Sequence, residues 1–137
     1  MEQINLAIRL STYSEHAHTT TFSFSQNWDW PEFYDAVDEQ VAALKSAKDQ
    51  QVVIFDFSHS LILPKNLAVH CPAILNKLPD NVQLLLIVSY GNMMSQIHEL
   101  VELAEGSFPH PQMIFLSHRD NPLDTIKSHY RHAATTE

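Results

Sequence analysis

The residues best suited to chemistry are polar side chains that directly follow three apolar stretches of the chain. They are Asp56, Ser58, His59, Tyr90, Asn92 and His118. A carboxylate, a hydroxyl and an imidazole within hydrogen-bond reach are the groups that general acid–base and nucleophilic catalysis use. The carboxyl ends of parallel strands meet at one edge of a sheet, where α/β proteins tend to place functional loops. We therefore take these residues, the polar rim, as the first candidate site.

The other parts of familiar catalytic sites are missing from the sequence. There is no nucleophile elbow of the Gly-x-Ser-x-Gly type, and two glycines, Gly91 and Gly106, cannot form a glycine-rich phosphate loop. The nine histidines include two closely spaced pairs, but neither pair has a third ligand at a familiar metal-site spacing. The sequence therefore predicts a protein that is not an enzyme, with no catalytic residue, no metal and no cofactor.

Two tryptophans, Trp28 and Trp30, form the second candidate site, just before an amphipathic segment. In a purely structural interpretation, the two rings plug the edge of the sheet and the base of a helix. In a functional interpretation, they form half of an apolar pocket or anchor an interface, because tryptophan is enriched in both. Tyr34, Met93 and Met94 are the other side chains suited to adhesion.

Hydrophobic periodicity predicts the strands and helices that hold these residues. Alternation or short apolar runs indicate strands at 4–10, 19–24, 52–57, 82–88 and 113–116. Helical spacing of apolar residues indicates helices at 33–44, 67–78, 94–104 and 121–130. Asp29 is suited to cap the first helix and Pro31 to occupy its first turn. Pro72 predicts a break or kink in the second helix, Leu123 is expected to face inward in the fourth, and residues 133–137 are expected to fray.

The order of these elements predicts one α/β domain spanning residues 1–137. Alternating strands and helices imply a mostly parallel sheet with right-handed crossovers, and the first strand is expected to pair antiparallel with the second. The result is a mixed five-stranded sheet with about four helices. Strands covered on both faces are nearly continuous apolar runs, so Val53, Phe55, Leu85 and Ile87 are expected to be inaccessible.

Composition and charge exclude several functional classes. The chain of 137 residues carries a formal charge of −8, which repels phosphate backbones and disfavours nucleic-acid binding. No apolar run approaches the ~20 residues that span a bilayer, so no membrane span is expected. The first residues show no basic and apolar leader pattern, and the single cysteine, Cys71, cannot form an internal disulfide. A reducing cytoplasm is the expected location.

The element order, with Asp56-x-Ser58 directly after an apolar strand, resembles the STAS domain, the SpoIIAA-like anti-sigma-factor antagonist fold. The resemblance implies a non-enzymatic interaction module, and some members are switched by phosphorylation of a serine. That serine lies in an Asp-Ser-Ser-Gly-like turn where the helix after the central strand begins. Here the corresponding residues are Leu63-Pro64-Lys65-Asn66. The phosphoacceptor motif is therefore missing, and Ser58 and Ser60 are not its equivalents.

The expected function is a protein-interaction module that binds a protein partner or forms a homodimer. One alternative is a domain that binds a small apolar ligand, because relatives of the STAS-like fold are grouped with lipid-binding domains. Another is a degenerate response-regulator receiver with Asp56 as the acceptor. A receiver also needs an acidic pair after its first strand, where this chain has Arg9-Leu10-Ser11.

Overall fold

The computed structural model describes residues 8–13, 18–25, 28–47, 50–60, 65–89, 95–99, 112–117 and 119–135. The strands in these ranges are β1 (Ile8–Tyr13), β2 (His18–Phe24), β3 (Gln51–Asp56), β4 (Val82–Ser89) and β5 (Gln112–Ser117). The helices are α1 (Trp30–Ser46), α2 (Leu67–Lys77), a segment α3 described over residues 95–99, and α4 (Pro122–Thr135). The predicted fold class, a mixed five-stranded α/β sheet with about four helices, is confirmed.

The strands lie side by side in the order in which they occur along the chain, β1-β2-β3-β4-β5. β1 pairs antiparallel with β2, and the three remaining pairings are parallel. Each parallel step advances the sheet in the same direction, so right-handed crossovers place the intervening helices on one face. Buried residues of α1, α2 and α3 accordingly share one core cluster with that face, and Ile126 of α4 packs on the other.

Alternate residues of each central strand supply the two cores. Val53, Phe55, Leu85 and Ile87 face α1 and α2, and they are 0%, 3%, 0% and 4% exposed, which confirms the predicted burial. The opposite face is equally apolar, with Val52, Ile54, Leu84, Leu86 and Val88 all buried. Burial on both sides explains why β3 and β4 are unbroken apolar runs in the sequence.

The start of α1 follows the predicted signals. The Asp29 side chain accepts a hydrogen bond of 2.9 Å from the Glu32 backbone N–H, and Pro31 lies in the first turn. Phe33, Val37 and Leu44 are buried on the helix face that packs against the sheet. The capped end fixes where Trp28 and Trp30 meet the sheet.

Four details differ from the sequence prediction. β1 continues through Ser11 and Thr12, beyond the predicted end of the strand at residue 10, because pairing with β2 satisfies their backbone while their polar side chains stay exposed at the sheet edge. α2 is continuous through Pro72, so of the break or kink predicted there, the break does not occur. Leu123 is 37% exposed rather than inward. The α4 backbone remains helical to Thr135, within the segment expected to fray.

The continuity of α2 has a physical explanation. Proline has no N–H group, so the usual intrahelical hydrogen bond at this position is lost. The following residues Ile74, Leu75 and Leu78 are all buried against the sheet. Packing of this apolar face offsets the missing hydrogen bond, because tertiary contacts contribute most of the stability of helices in proteins.

Candidate functional site

Asp56, at the carboxyl end of β3, is engaged in a local turn. Its Oδ1 accepts hydrogen bonds from the Ser58 backbone N–H at 2.9 Å and from the Ser58 hydroxyl at 2.6 Å. A carboxylate that bonds the backbone two residues ahead forms an Asx turn, which orders the chain as it leaves a strand. Asp56 and Ser58 are therefore in contact, and the geometry of the pair is that of a turn.

Of the four other rim residues, the structure describes one, His59. His59 is exposed, and Tyr90, Asn92 and His118 lie outside the described residues. Ser60 is 1% exposed, and its hydroxyl accepts a 2.8 Å hydrogen bond from Trp28 Nε1. This bond ties the segment after β3 to the start of α1, 32 residues earlier in the chain.

Trp28 lies at the centre of an aromatic cluster on the α1 side of the sheet. The indole is 2% exposed, and its ring centroid lies 4.9 Å from that of Phe24 and 5.7 Å from those of Phe33 and Phe57. Because the indole N–H is bonded to Ser60, burial leaves no polar group unpaired. Trp28 therefore plugs the junction of sheet and helix, as its structural interpretation proposes.

Trp30 occupies a different environment, at the surface between α1 and α2. It is half-buried, and its Nε1 donates a 2.8 Å hydrogen bond to the Lys65 carbonyl. Its ring stacks on His70 with the centroids 4.4 Å apart and the planes 25° from parallel. Contacts on two sides hold Trp30 in one orientation.

A line of side chains on α1 continues this contact with α2. The Tyr34 hydroxyl lies 2.8 Å from His70 Nδ1, and Lys77 Nζ lies 5.6 Å from the Tyr34 ring centre. Asp38 forms a 2.8 Å ion pair with Lys77. Trp30, Tyr34 and Asp38 recur every four residues, so one face of α1 meets α2. The sequence interpretation missed His70, because its position beside Tyr34 depends on how α2 packs against α1.

An apolar cavity lies beneath the two tryptophans. Its volume is about 30 Å³, and its wall consists of apolar side chains and the Cys71 thiol. The lining residues are Trp28, Trp30, Phe33, Phe55, Phe57, Cys71, Ile74, Leu75, Ile87 and Ile97. The cavity is bounded by α1, α2, α3 and the carboxyl halves of β3 and β4, the side on which open α/β sheets bind ligands. Both tryptophans therefore line a small apolar cavity.

Cys71 lies on α2 at the wall of this cavity and is partly exposed. Burial in apolar surroundings raises the pKa of its thiol from 9.0 to about 11. The thiolate is the nucleophile of cysteine chemistry, and at neutral pH this group is a neutral thiol. Cys71 therefore behaves as a small apolar wall residue.

We expect Cys71 to alkylate slowly in the folded protein. The pKa shift from 9.0 to about 11 reduces the thiolate fraction at neutral pH by roughly 100-fold. Iodoacetamide labelling followed by mass spectrometry should therefore be at least that much slower in buffer than in urea. The stabilising effect of the neutral buried thiol is complete below pH 9 and is lost as the pH rises through about 11.

A cysteine placed at position 69 in a Cys71→Ala background is the matched control for this labelling. Val69 is 66% exposed on the same helix, so a thiol there should react at nearly the same rate in the folded and the unfolded protein. Equal rates for Cys71 in buffer and in urea would contradict the buried, neutral thiol.

Electrostatically, α1 is acidic. Five carboxylates lie on α1 or its cap: Asp29, Glu32, Asp35, Asp38 and Glu39. α1 contains one basic residue, Lys45, in its last turn. Among the described residues, no three His, Cys, Asp or Glu side chains are placed to hold a metal ion. Within the described part of the chain, no helix is long and apolar enough to cross a bilayer.

Comparison with known proteins identifies no relative of this chain. No family model, no curated protein and no solved structure matches this chain.

Proposed function

We propose that this protein is a non-enzymatic interaction module that works by protein–protein contact in the cytoplasm. The proposed docking face consists of Trp30, Tyr34, Val69 and His70, where the start of α2 meets α1. The observation that carries the proposal is the exposure of Val69, 66%, next in sequence to His70, whose ring stacks on Trp30. Interfaces are enriched in aromatic and apolar side chains at their centres, and this face offers both.

The backbone at the start of α2 supports the same face. Asn66 has a left-handed conformation with φ 65°, which asparagine tolerates better than most residues. Its carbonyl accepts hydrogen bonds from the backbone N–H groups of Val69 and His70, at 3.0 and 3.1 Å. This turn presents Val69 to solvent on a fixed helix end. In the STAS-like resemblance, the same helix start carries the regulatory serine of switched members, which agrees with this location for a docking face.

The hydrogen bonds after β3 agree with a non-enzymatic role. Asp56 Oδ1 accepts two hydrogen bonds from Ser58, and the Ser60 hydroxyl is buried against Trp28. These contacts order the chain at the end of β3, which is a structural role for both residues.

Binding of a small apolar ligand, the alternative function, is less well supported. Pockets for drug-sized ligands are typically about 300–1,000 Å³. The apolar cavity is about 30 Å³, which is too small for a fatty acyl chain or a ring system. A lipid-like ligand would require displacement of several aromatic side chains that pack on one another.

A photo-crosslinking amino acid at position 69 tests the interaction module in its native cell. We expect it to crosslink one protein, either a partner or a second copy of this chain. The same amino acid at position 128, which is exposed on α4 across the sheet, should not. The captured protein, once identified and purified, should bind Val69→Asp at least about 10-fold more weakly, the loss expected at an interface centre.

Ser128→Asp is the matched control, because it adds the same charge at an exposed site away from the docking face. Its affinity for the purified partner should equal that of the unmodified chain. Equal crosslinking from positions 69 and 128, or no crosslink from either, would contradict the proposal. Hydrolysis of an esterase, phosphatase or nucleotidase substrate by the unmodified chain, lost in Asp56→Asn, would also contradict the proposal. It would show that the protein is an enzyme.

A further inference from the structure

The outer side of β1 is an open edge of the sheet. β1 lies at one end of the strand order, and within the described ranges no strand pairs with the side that faces away from β2. The side chains of residues 9–12 are all exposed. Alternate residues of an edge strand direct their backbone N–H and C=O groups outward, where they can bond water or another extended strand.

β1 lacks most of the features by which proteins protect such an edge. Protected edges are very short, bulged, covered, or rich in proline and charged residues. β1 is six residues long, contains no proline, and has Arg9 as its one charged residue. Its register with β2 runs without a shift from Ile8 to Tyr13, so no bulge twists the edge away from a neighbour. The strand is therefore suited to pair with another one.

The opposite end of the sheet is less open. In β5, Gln112 is exposed, and the other residues are half-buried or buried. The His98 ring of α3 packs against Phe115, with the ring centroids 4.7 Å apart. An incoming strand therefore finds more free surface at β1 than at β5.

Leu10 indicates which strand fits this edge. It lies opposite Phe22 in the register and therefore faces the α1 side of the sheet, yet it is 36% exposed while Phe22 is 0% exposed. If two copies of β1 pair antiparallel around a two-fold axis at Leu10, each Leu10 covers the other. Arg9 then lies opposite Ser11 of the second copy, so the one charge of β1 does not directly oppose itself. A second copy thus supplies the matching side chain and the matching backbone groups by symmetry.

From these observations we propose that β1 is a self-association edge, at which two copies of this chain pair antiparallel with Leu10 facing Leu10. The pairing joins two five-stranded sheets into one continuous sheet. Its affinity comes from backbone hydrogen bonds, as in other complexes that extend a sheet by one strand. The inference goes beyond the proposed function, because it concerns a different surface. A two-fold axis perpendicular to the sheet leaves both docking faces on the same side of the joined sheet.

Sedimentation equilibrium of the full-length chain measures this association, and we expect a monomer–dimer equilibrium. Leu10→Lys should raise the dissociation constant by about 10-fold or more, because two like charges replace two facing apolar side chains. Leu123→Lys is the matched control, since Leu123 is 37% exposed on α4, and it should associate as the unmodified chain does. A monomer at every concentration up to the millimolar range would overturn the proposal, as would equal dissociation constants for the two variants.

A mixture of opposite charges separates loss of pairing from loss of fold. Leu10→Glu alone should dissociate as Leu10→Lys does, and thermal unfolding followed by circular dichroism should show that both variants are folded. Mixed in equal amounts, they should form a heterodimer, because opposite charges then face each other across the axis. Two folded variants that stay monomeric in the mixture would contradict the facing leucines.

A disulfide tests the register without adding a charge. In a Cys71→Ala background, Leu10→Cys should form an intermolecular disulfide under mild oxidation, because directly opposite residues bring their β-carbons close together. Ser11→Cys is the matched control on the same strand. In the proposed register it faces position 9 of the second copy, so its crosslinking should be much slower. Equal rates at the two positions would overturn the proposed pairing.

The β1 edge and the docking face fail in different ways. Val69 lies on α2, so Val69→Asp should weaken binding of the partner and leave the dimer unchanged. If Val69→Asp dissociates the dimer, the docking face joins the two copies and the β1 inference is wrong. If no protein crosslinks at position 69 while Leu10→Lys dissociates the dimer, the proposed docking function is wrong and the β1 edge stands.

Discussion

Val53→Asp is expected to yield no folded protein. Val53 is 0% exposed on β3, between Thr20 of β2 and Leu85 of β4, and it faces the core beneath α1 and α2. An unpaired carboxylate at such a site costs several kcal/mol, either through burial of the charge or through protonation of the group. Domains of this size are stable by about 5–15 kcal/mol, so one such change removes most or all of that margin.

Soluble expression and thermal unfolding followed by circular dichroism measure the effect of Val53→Asp. Val69→Asp is the matched control, because the same substitution at a side chain that is 66% exposed should leave the melting temperature nearly unchanged. Val53→Asp is expected to lose the fold, and Val69→Asp is expected to keep the fold and lose affinity for the partner. Comparing the two variants therefore distinguishes unfolding from weakened binding. A soluble Val53→Asp protein with a cooperative melt would contradict the central position of β3.

Phe24→Ala should destabilise the protein by about 3–5 kcal/mol, as is typical when a large buried aromatic residue is removed. The Phe24 ring is 1% exposed, and its centroid lies 4.2 Å from that of Phe57, 4.6 Å from Phe33 and 4.9 Å from Trp28. Its removal would leave a void between β2, α1 and the segment after β3. The neighbouring rings cannot all close the void, because Trp28 is also held by Ser60.

Urea unfolding monitored by tryptophan fluorescence checks this prediction, because Trp28 lies in the same cluster. Leu123→Ala is the control, since that side chain is 37% exposed on α4 and its loss should cost less than about 1 kcal/mol. If the urea concentration at the unfolding midpoint were the same for Phe24→Ala and Leu123→Ala within error, the aromatic cluster would contribute little to stability.

The fold was predictable from sequence because local signals and tertiary contacts agree. Asp29 and Pro31 specify the start of α1, and the apolar runs of β3 and β4 specify strands buried on both faces. The misassigned parts lack that agreement. Ser11 and Thr12 have no apolar face, so their strand conformation depends on pairing with β2, which hydrophobic periodicity does not detect. The exposure of Leu123 likewise depends on how α4 lies across the sheet.

The candidate site was predictable in part. Trp28 and Trp30 stand out by residue type and by their position beside a helix cap, and both line the cavity. The other groups of the site come from distant parts of the chain. His70 meets Tyr34 from 36 residues away, and Ser60 meets Trp28 from 32 residues away. The first pairing arises when α2 packs beside α1 and the second when the segment after β3 meets the start of α1, so no local spacing in the sequence could identify them.

The strands lie in the sheet in the same order as in the chain, and this has a consequence for folding during synthesis. Each strand after β1 finds one sheet neighbour already made when it leaves the ribosome, since β1 to β5 pair strictly in sequence. The sheet can therefore grow from its first hairpin by one strand–helix unit at a time, without waiting for a distant segment. α4 is the exception, because it packs against Val52, Ile54 and Leu84 of strands made much earlier. Until α4 emerges, the nascent sheet lacks this cover on an apolar face, and that interval is when the growing chain is most prone to aggregation.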